Sequence, residues 1–374
     1  MSCRFGLTHT ILKTLEKNIL EFTEKRNAQK LLHKKAEFYL MDSFEIFHFL
    51  PIYNALIKDG IEANFVCEPV EINTVHKWFD YDSAIEILNN LGVNYTQIAD
   101  PYAKISFSTQ QAEILRKYKG IKINLNYGCG FNKTNFGNTP ESMKGFDYKF
   151  VHSKYMAEIA KKVLKSNQVK IIGYPKHDDY FKNLPDKKDV LDKLGIKTGK
   201  PILVYFPTWD EDSSIQKFGD EINKLRQTFY VVTKAHHCTF RVEEKKNDLE
   251  KLYEISDKVL EGNSNFSDAV VIADIAMIDG KSGSSCEVPY LKNDLPIVYL
   301  SPRENVQKYF KKDIFKFGEF INNPEELPET VEKVFKKDLY VPFRKEKIEY
   351  YLGSNDGKST KRAVEEIKII LNKK

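Results

Sequence analysis

The sequence predicts an α/β protein made of two similar domains, each a parallel sheet covered by helices on both faces, that face each other across a cleft. Three observations predict it. From residue 36 to about 173, short apolar runs of strand length alternate with amphipathic segments of helix length, the pattern of a parallel sheet with helical connections. A polar stretch through Pro175, Asp179, Asn183, Pro185, Lys197 and Pro201 interrupts this alternation, which then restarts. The chain has 374 residues, too long for one ordinary domain and comfortable for two.

Taken in order, residues 36–41 read as a strand. Asp42 and Ser43 then cap a helix over 44–58 that closes at Asp59-Gly60. Residues 61–67 are the next strand, 82–90 a helix, and 93–98, 105–108 and 121–126 strands, with a helix over 110–119. Strands at 150–152 and 169–172 flank a helix over 154–164. In the second domain 201–206, 229–234 and 295–300 read as strands, and 269–272 with 275–278 lie on or beside another. Val364, Ile367, Ile370 and Leu371 recur at helical spacing, which predicts a helix over 356–372. The expected division is 1–174, 175–352 and a terminal segment 353–374 that packs back on the first domain.

Hydrophobic residues make up 41% of the chain and aromatics 13%, enough for sizeable cores and against wholesale disorder. Lys and Arg outnumber Asp and Glu by 58 to 53, too mild an excess to imply a nucleic-acid partner. Most of that excess sits between residues 11 and 35, where seven basic residues face three acidic ones. Ile11, Leu12, Leu15, Ile19, Leu20 and Phe22 give this segment a helical apolar stripe. The plainer reading is a helix packed on its own domain with a solvated basic face. The sharper one is contact with an anionic membrane surface. No apolar run is long enough to span a membrane, and the start of the chain lacks the pattern of a secretory signal. The five cysteines form no CxxC pair, so neither a disulfide framework nor a structural zinc site is expected. These features together point to the cytoplasm, with peripheral attachment at the inner face of the cell membrane as the second reading.

Ligands of parallel sheets bind beyond the carboxyl ends of the strands, which directs attention to the loops there. The loop from Tyr127 to Lys133 carries Gly128 and Gly130, which let backbone approach a ligand, and Lys133, which can meet an anion. The domain junction reads Gly173-Tyr-Pro-Lys176-His-Asp178. Thr208 and Trp209 follow one strand of the second domain, and Lys234-Ala-His236-His237 another. Asp279-Gly-Lys-Ser282-Gly-Ser284-Ser285-Cys-Glu287 offers hydroxyls and backbone N–H groups at a helix N-terminus, a cradle for phosphates. Asp210-Glu211-Asp212 has the look of an acidic metal motif, but its polar loop reads better as a solvated turn.

In this order, these motifs resemble the bacterial CDP-glycerol glycerophosphotransferases of teichoic-acid and capsule synthesis, over roughly residues 120–320. Gly173, Pro175, Lys176 and Asp178 match the family's Gly-x-Pro-Arg-x-Asp, with Lys for Arg. Pro207, Thr208 and Trp209 match its Pro-Thr-Trp-Arg, with Asp210 for the Arg. Lys234 and His236 match its Lys-x-His-Pro. Asp274, Asp279, Lys281, Ser282 and Glu287 stand where the family has its Asp-x(4)-Asp-Tyr-Ser-Ser loop and following acid, with one of the two serines aligned and the acid one residue late. The resemblance implies two Rossmann-like domains of the glycosyltransferase-B type. It also implies a nucleotide-activated donor such as CDP-glycerol in the second domain and a polymer or lipid-linked acceptor beside the first. No metal or cofactor is implied.

Catalysis is then expected from His236, Lys133 and the position of Tyr127, where the family keeps a histidine as presumed base. Donor binding is expected from Lys176, Asp178, Thr208, Trp209, Lys234, Asp279, Ser282, Ser284, Ser285 and Glu287. Tyrosine, with an ordinary pKa of about 10, is a poor base at neutral pH. The readings kept beside this one are a nucleotide-sugar glycosyltransferase, an enzyme like the UDP-N-acetylglucosamine 2-epimerases, and a degenerate, non-catalytic nucleotide-sugar-binding subunit.

Overall fold

The structure is a computed structural model that describes residues 32–69, 81–109, 112–127, 144–261, 264–304 and 312–372. The basic segment therefore lies outside the described residues up to residue 31, and its last lysines, Lys34 and Lys35, sit on a strand rather than a helix.

The first sheet contains β1 (His33–Tyr39), β2 (Glu62–Val66), β3 (Tyr95–Thr96), β4 (Ala103–Ser108), β5 (Ile121–Leu125), β6 (Tyr148–Val151) and β7 (Val169–Ile171). Their order is β3-β2-β1-β4-β5-β6-β7, with every neighbouring pair parallel. The second contains β8 (Ile202–Phe206), β9 (Tyr230–Lys234), β10 (Lys258–Leu260), β11 (Ile275–Asp279), β12 (Ile297–Leu300) and β13 (Glu319–Ile321). Its order, β10-β9-β8-β11-β12-β13, repeats the same winding, again all parallel. Each sheet reverses its strand order beside its first strand, at β1/β4 and β8/β11. Those two points are where such sheets leave a crevice for ligands.

Alternation along the strands builds the cores. On β8, Leu203 and Tyr205 pack in one cluster, while Ile202, Val204 and Phe206 pack in another on the opposite face. One face of the first sheet buries Phe38, Phe107, Ile123 and Phe150 under the helix Glu45–Lys58. The same cluster takes Ala363, Val364, Ile367, Ile370 and Leu371 from the last helix, Ser359–Asn372, so the end of the chain completes the core of its beginning.

Two glycines shape the return. Gly173 has φ +87° and packs against Ser359 and Arg362, and Gly353 has φ +102° with its α-carbon beside the carbonyl of His152. A β-carbon on Gly353 would stand 2.3 Å from the His152 carbonyl oxygen. Gly353→Ala is therefore expected to cost about 2–3 kcal/mol, from strained backbone and backbone clash together. Thermal unfolding checks it, and an unchanged melting temperature would rule out this account of the crossing.

The structure corrects several sequence expectations. Residues 269–272 belong to a helix, Phe266–Ile272, whose Val270-Val271-Ile272 run imitates a strand; Asn265 caps it by accepting from the Ser267 N–H at 3.1 Å. The edge strands β10 and β13, three residues each, carry too little pattern to be read. Of the helix expected over 110–119, the described residues hold only a 3₁₀ turn, Ala112–Leu115. Cys67 and Cys238 are free and buried, whereas Cys286 is disulfide-bonded, so the cysteines are not all reduced as their spacing suggests. Among the described residues no helix is long and apolar enough to cross a membrane.

Candidate active site

The loops beyond β8, β9 and β11 meet the junction segment at one end of the second sheet. Asp279, the last residue of β11, is fully buried. It accepts hydrogen bonds from the backbone N–H groups of Thr208 (2.8 Å) and Ser214 (3.1 Å) and from the Ser214 hydroxyl. Burial pushes its carboxyl up to about 7 against the pull of those donors. Asp279 thus ties the Thr208–Ser214 loop to the sheet and presents no oxygen to a donor.

Asp178 is likewise occupied: its two oxygens accept the N–H groups of Ser359 (3.0 Å) and Thr360 (2.6 Å), capping the last helix. The Ser285 hydroxyl donates back to the Ser282 carbonyl at 2.7 Å, in the turn that starts its helix. These three expected donor-binding residues therefore act as struts, because their polar atoms are taken up within the protein. Asp212 is not the solvated turn its neighbours suggest. It is buried and clasped by Lys281 at 2.5 Å and by Arg303, which hold its carboxyl below the usual range despite burial.

Other expected residues do converge. Glu287 lies in the first turn of the helix Ser284–Leu291. Its Oε1 accepts from Lys176 Nζ at 2.5 Å and meets His177 Nε2 at 2.6 Å. Burial opposes its charge, but Lys176 and His177 together hold the carboxyl well below the ordinary range. Both contacts fall on Oε1, which leaves Oε2 for another donor. Ser282 Oγ receives the Ser284 N–H at 3.2 Å at the start of this helix. Lys234 ends β9, donates to the Glu261 carbonyl at 3.0 Å, and is brought down to about 8 by burial and the nearby Lys176 cation. It still carries its proton at neutral pH.

His236 stacks on Trp209 with ring centroids 5.9 Å apart. Its Nδ1 accepts from the Cys238 N–H at 3.2 Å, capping the short helix His237–Arg241. With Nδ1 an acceptor, the neutral ring carries its proton on Nε2, a donor suited to a phosphate oxygen. His237 does not point the opposite way, as an extended segment would require. The chain turns into helix after His236, so the two rings lie 4.1 Å apart. His237 faces Phe44 of the first half at 6.2 Å.

The ligand atoms of His236, His237 and Cys238 lie within 4.8 Å of one another. Their setting suits an anion better than a cation. His236 Nδ1 is engaged, burial together with the nearby Arg241 and Lys234 brings His237 down to about 4, and burial pushes the Cys238 thiol up to about 11.

The first half contributes the helix Glu45–Lys58. Buried Glu45 anchors its start by accepting from the N–H groups of Met41 (2.5 Å) and Asp42 (3.1 Å). Tyr174 at the junction donates its hydroxyl to the Tyr127 carbonyl at 2.6 Å and so holds the end of the β5 loop. Lys133 lies outside the described residues. The Tyr174 ring is sandwiched between His152, at 4.1 Å, and His48, at 5.7 Å. Sequence reasoning passed over His48 and Arg303. The position of His48 at the start of the helix after β1, beside the strand-order reversal, is the signal that could have found it.

Residues 23–368 match the CDP-glycerol:poly(glycerophosphate) glycerophosphotransferase family. The chain belongs to that family. It is thus a transferase that draws on a nucleotide-activated donor. The wall teichoic acid polymerase TagF, in a structure soaked with CDPG, superposes with a TM-score of 0.60 at 14% identity, covering 99% of this chain and 98% of that one. Staphylococcus aureus MnaA, solved with UDP, gives 0.61 at 14% identity over 91% and 97%. The UDP-GlcNAc 2-epimerase of Neisseria meningitidis, bound to UDP-GlcNAc, gives 0.61 at 13% over 90% and 99%. At such identities the likeness is one of fold, the glycosyltransferase-B arrangement of two facing sheets. No curated relative matches this glycerophosphotransferase by sequence.

Proposed function

We propose that this glycerophosphotransferase moves glycerol phosphate from CDP-glycerol to a hydroxyl of a cell-envelope or capsular polymer. The observation that carries the reading is the family match across 23–368, on a cleft where Lys176, Glu287, Lys234 and His236 gather at the strand ends. In the reaction the acceptor oxygen bonds to the phosphorus that bears glycerol, the anhydride bond to CMP breaks, and CMP leaves with the electron pair. The acceptor proton passes to a base.

The second half holds the donor. Glu287 Oε2 accepts from ribose hydroxyls, while Lys176 and Lys234 face the diphosphate charge. His236 Nε2–H and the backbone around Ser282–Ser284 meet the charge that grows on the leaving phosphate. Thr208 and Trp209 wall the pocket, with Asp279 and Asp178 as supports. The first half, with Tyr127 and Lys133, receives the acceptor. The basic segment at 11–35 brings the enzyme to the anionic inner surface of the membrane, where a lipid-linked acceptor lies.

Tyr127 in place of the family histidine favours one second reading, transfer of a sugar from a nucleotide sugar. A donor panel separates the two. CDP-glycerol at 100 times its Kd is expected to stabilise the protein by about 2.7 kcal/mol, a shift of a few degrees, and to release CMP when acceptor is added. Stabilisation and turnover with UDP-sugars alone would move the assignment to the sugar. Binding of either donor without any turnover would make the chain a non-catalytic subunit.

A further inference from the structure

The proposed reaction needs a base, and the residue at the family's histidine position is Tyr127. An imidazole nevertheless stands beside it. His48, in the first turn of the helix Glu45–Lys58, has its ring centroid 5.9 Å from that of Tyr127. The residue is 5% exposed, and Nδ1 is sealed from solvent without a hydrogen-bond partner. Among the described residues no hydrogen bond to either ring nitrogen is formed. Phe44 at 5.9 Å, Tyr127 and Tyr174 surround the ring, and none of the three hydrogen-bonds to it.

A buried, unsatisfied imidazole nitrogen costs about 1–3 kcal/mol. Such a group persists where something else supplies its partner. His152, the other histidine stacked on Tyr174, differs in that its Nε2 is engaged with the Asn126 carbonyl at 2.5 Å. His177 is engaged with Glu287. His152 Nδ1 is likewise buried without a partner, so what sets His48 apart among the three histidines around Tyr174 is that neither of its ring nitrogens is engaged.

Building on the glycerophosphoryl-transfer reading, we infer that His48 is the catalytic base of this enzyme: it takes the proton of the acceptor hydroxyl as that oxygen bonds to phosphorus. The acceptor is then met at Nε2, the ring nitrogen that is neither sealed nor hydrogen-bonded, and Tyr127 has exchanged the family's imidazole for a wall that packs against the relocated one. Atoms balance: the O–H bond of the acceptor and the P–O bond to CMP break, the new O–P bond and the N–H bond on His48 form, and the proton afterwards passes to water. Burial, with the Lys176 cation, lowers the ring's proton affinity and keeps it neutral before the acceptor binds.

The test uses the full chain, CDP-glycerol and a poly(glycerophosphate) acceptor. His48→Gln keeps most of the volume against Tyr174. It is expected to lower kcat by about 10²–10⁴-fold, with the KM for CDP-glycerol and the donor-induced thermal shift unchanged. His48→Ala should behave alike. Adding Tyr127→His to His48→Ala should restore activity at least tenfold, because it returns an imidazole to the cleft without repairing the packing at position 48.

If His48→Gln turns over within fivefold of the parent, or raises the donor KM with kcat intact, the base assignment falls while the donor reading stands. If the double variant is as inactive as His48→Ala, the ring is there for packing and the inference also falls. If the unaltered enzyme transfers nothing from CDP-glycerol, the functional reading fails first and this base fails with it.

Discussion

His236→Ala is expected to lower kcat by about 10²–10³-fold, the range for loss of one donor to a developing oxyanion. The KM for the donor should change much less, because the interaction strengthens as the leaving phosphate gains charge. The structure adds a stability cost to this variant. His236 caps the helix His237–Arg241 through Nδ1, and losing a cap costs about 0.5–2 kcal/mol. His236→Asn separates the two effects, since asparagine caps well but cannot place a donor where Nε2 stands. It should recover the melting temperature and not the rate. His237→Ala removes a ring that faces Phe44 across the cleft. It should act on closure, raising KM with a loss in kcat of less than tenfold. Steady-state kinetics with melting curves on the three variants decides. Equal costs at 236 and 237, or a folded and active His236→Ala, would falsify the role.

Glu287→Gln should produce the largest loss of stability in the cleft. It leaves Lys176 and His177 facing a neutral amide, both of them at contact distance. Removing one partner of a buried ion pair costs about 3–5 kcal/mol. Here about 2–3 kcal/mol is expected, because Lys176 retains 24% exposure of its side chain and is partly screened by solvent.

The pH dependence has a definite sign. The folded-state pKa of Glu287 is depressed, so its contribution is complete above the ordinary carboxyl value of about 4.3 and is lost as pH falls through the folded value. The gap in melting temperature between the parent and Glu287→Gln should therefore be constant from pH 5 to 7 and narrow below pH 4. A gap that widens in acid would show that Glu287 is protonated in the native state. Donor affinity should fall as well, because the same substitution removes the acceptor proposed for the ribose.

The parallel α/β character of both halves was legible because strand runs such as 202–206 and 275–278 are apolar throughout and each is followed by its own loop. Edge strands were not: β10 and β13 each pair along one side only, and three residues show no period. Among the motif residues, Lys176 lies beside Glu287 and close to Lys234, and Trp209 stacks on His236. Spacing alone could not tell which motif residue faces a ligand and which braces the loop that does. Asp178 and Asp279 match the family's acidic positions as well as Glu287 does. What distinguishes them is that backbone N–H groups from residues 359–360, 208 and 214 already occupy their oxygens. Those partners are distant in the chain and leave no local trace. His48 was passed over for the complementary reason: no motif marks it, and its meaning comes from neighbours at positions 127 and 174.

The last helix has a consequence for how the protein is made. Residues 363–371 fill the core of the first sheet, and Asp178 anchors the start of that helix at the junction. A ribosome therefore finishes every strand of the first sheet, then translates roughly 200 more residues, on the order of 10–40 s, before the piece that closes its core emerges. During that interval Phe38, Ile123 and Phe150 lack their final cover. The nascent first half is exposed to chaperones and to aggregation until synthesis ends. A chain cut short near 355 should fail in its first half, even though every residue it lacks lies at the other end of the sequence.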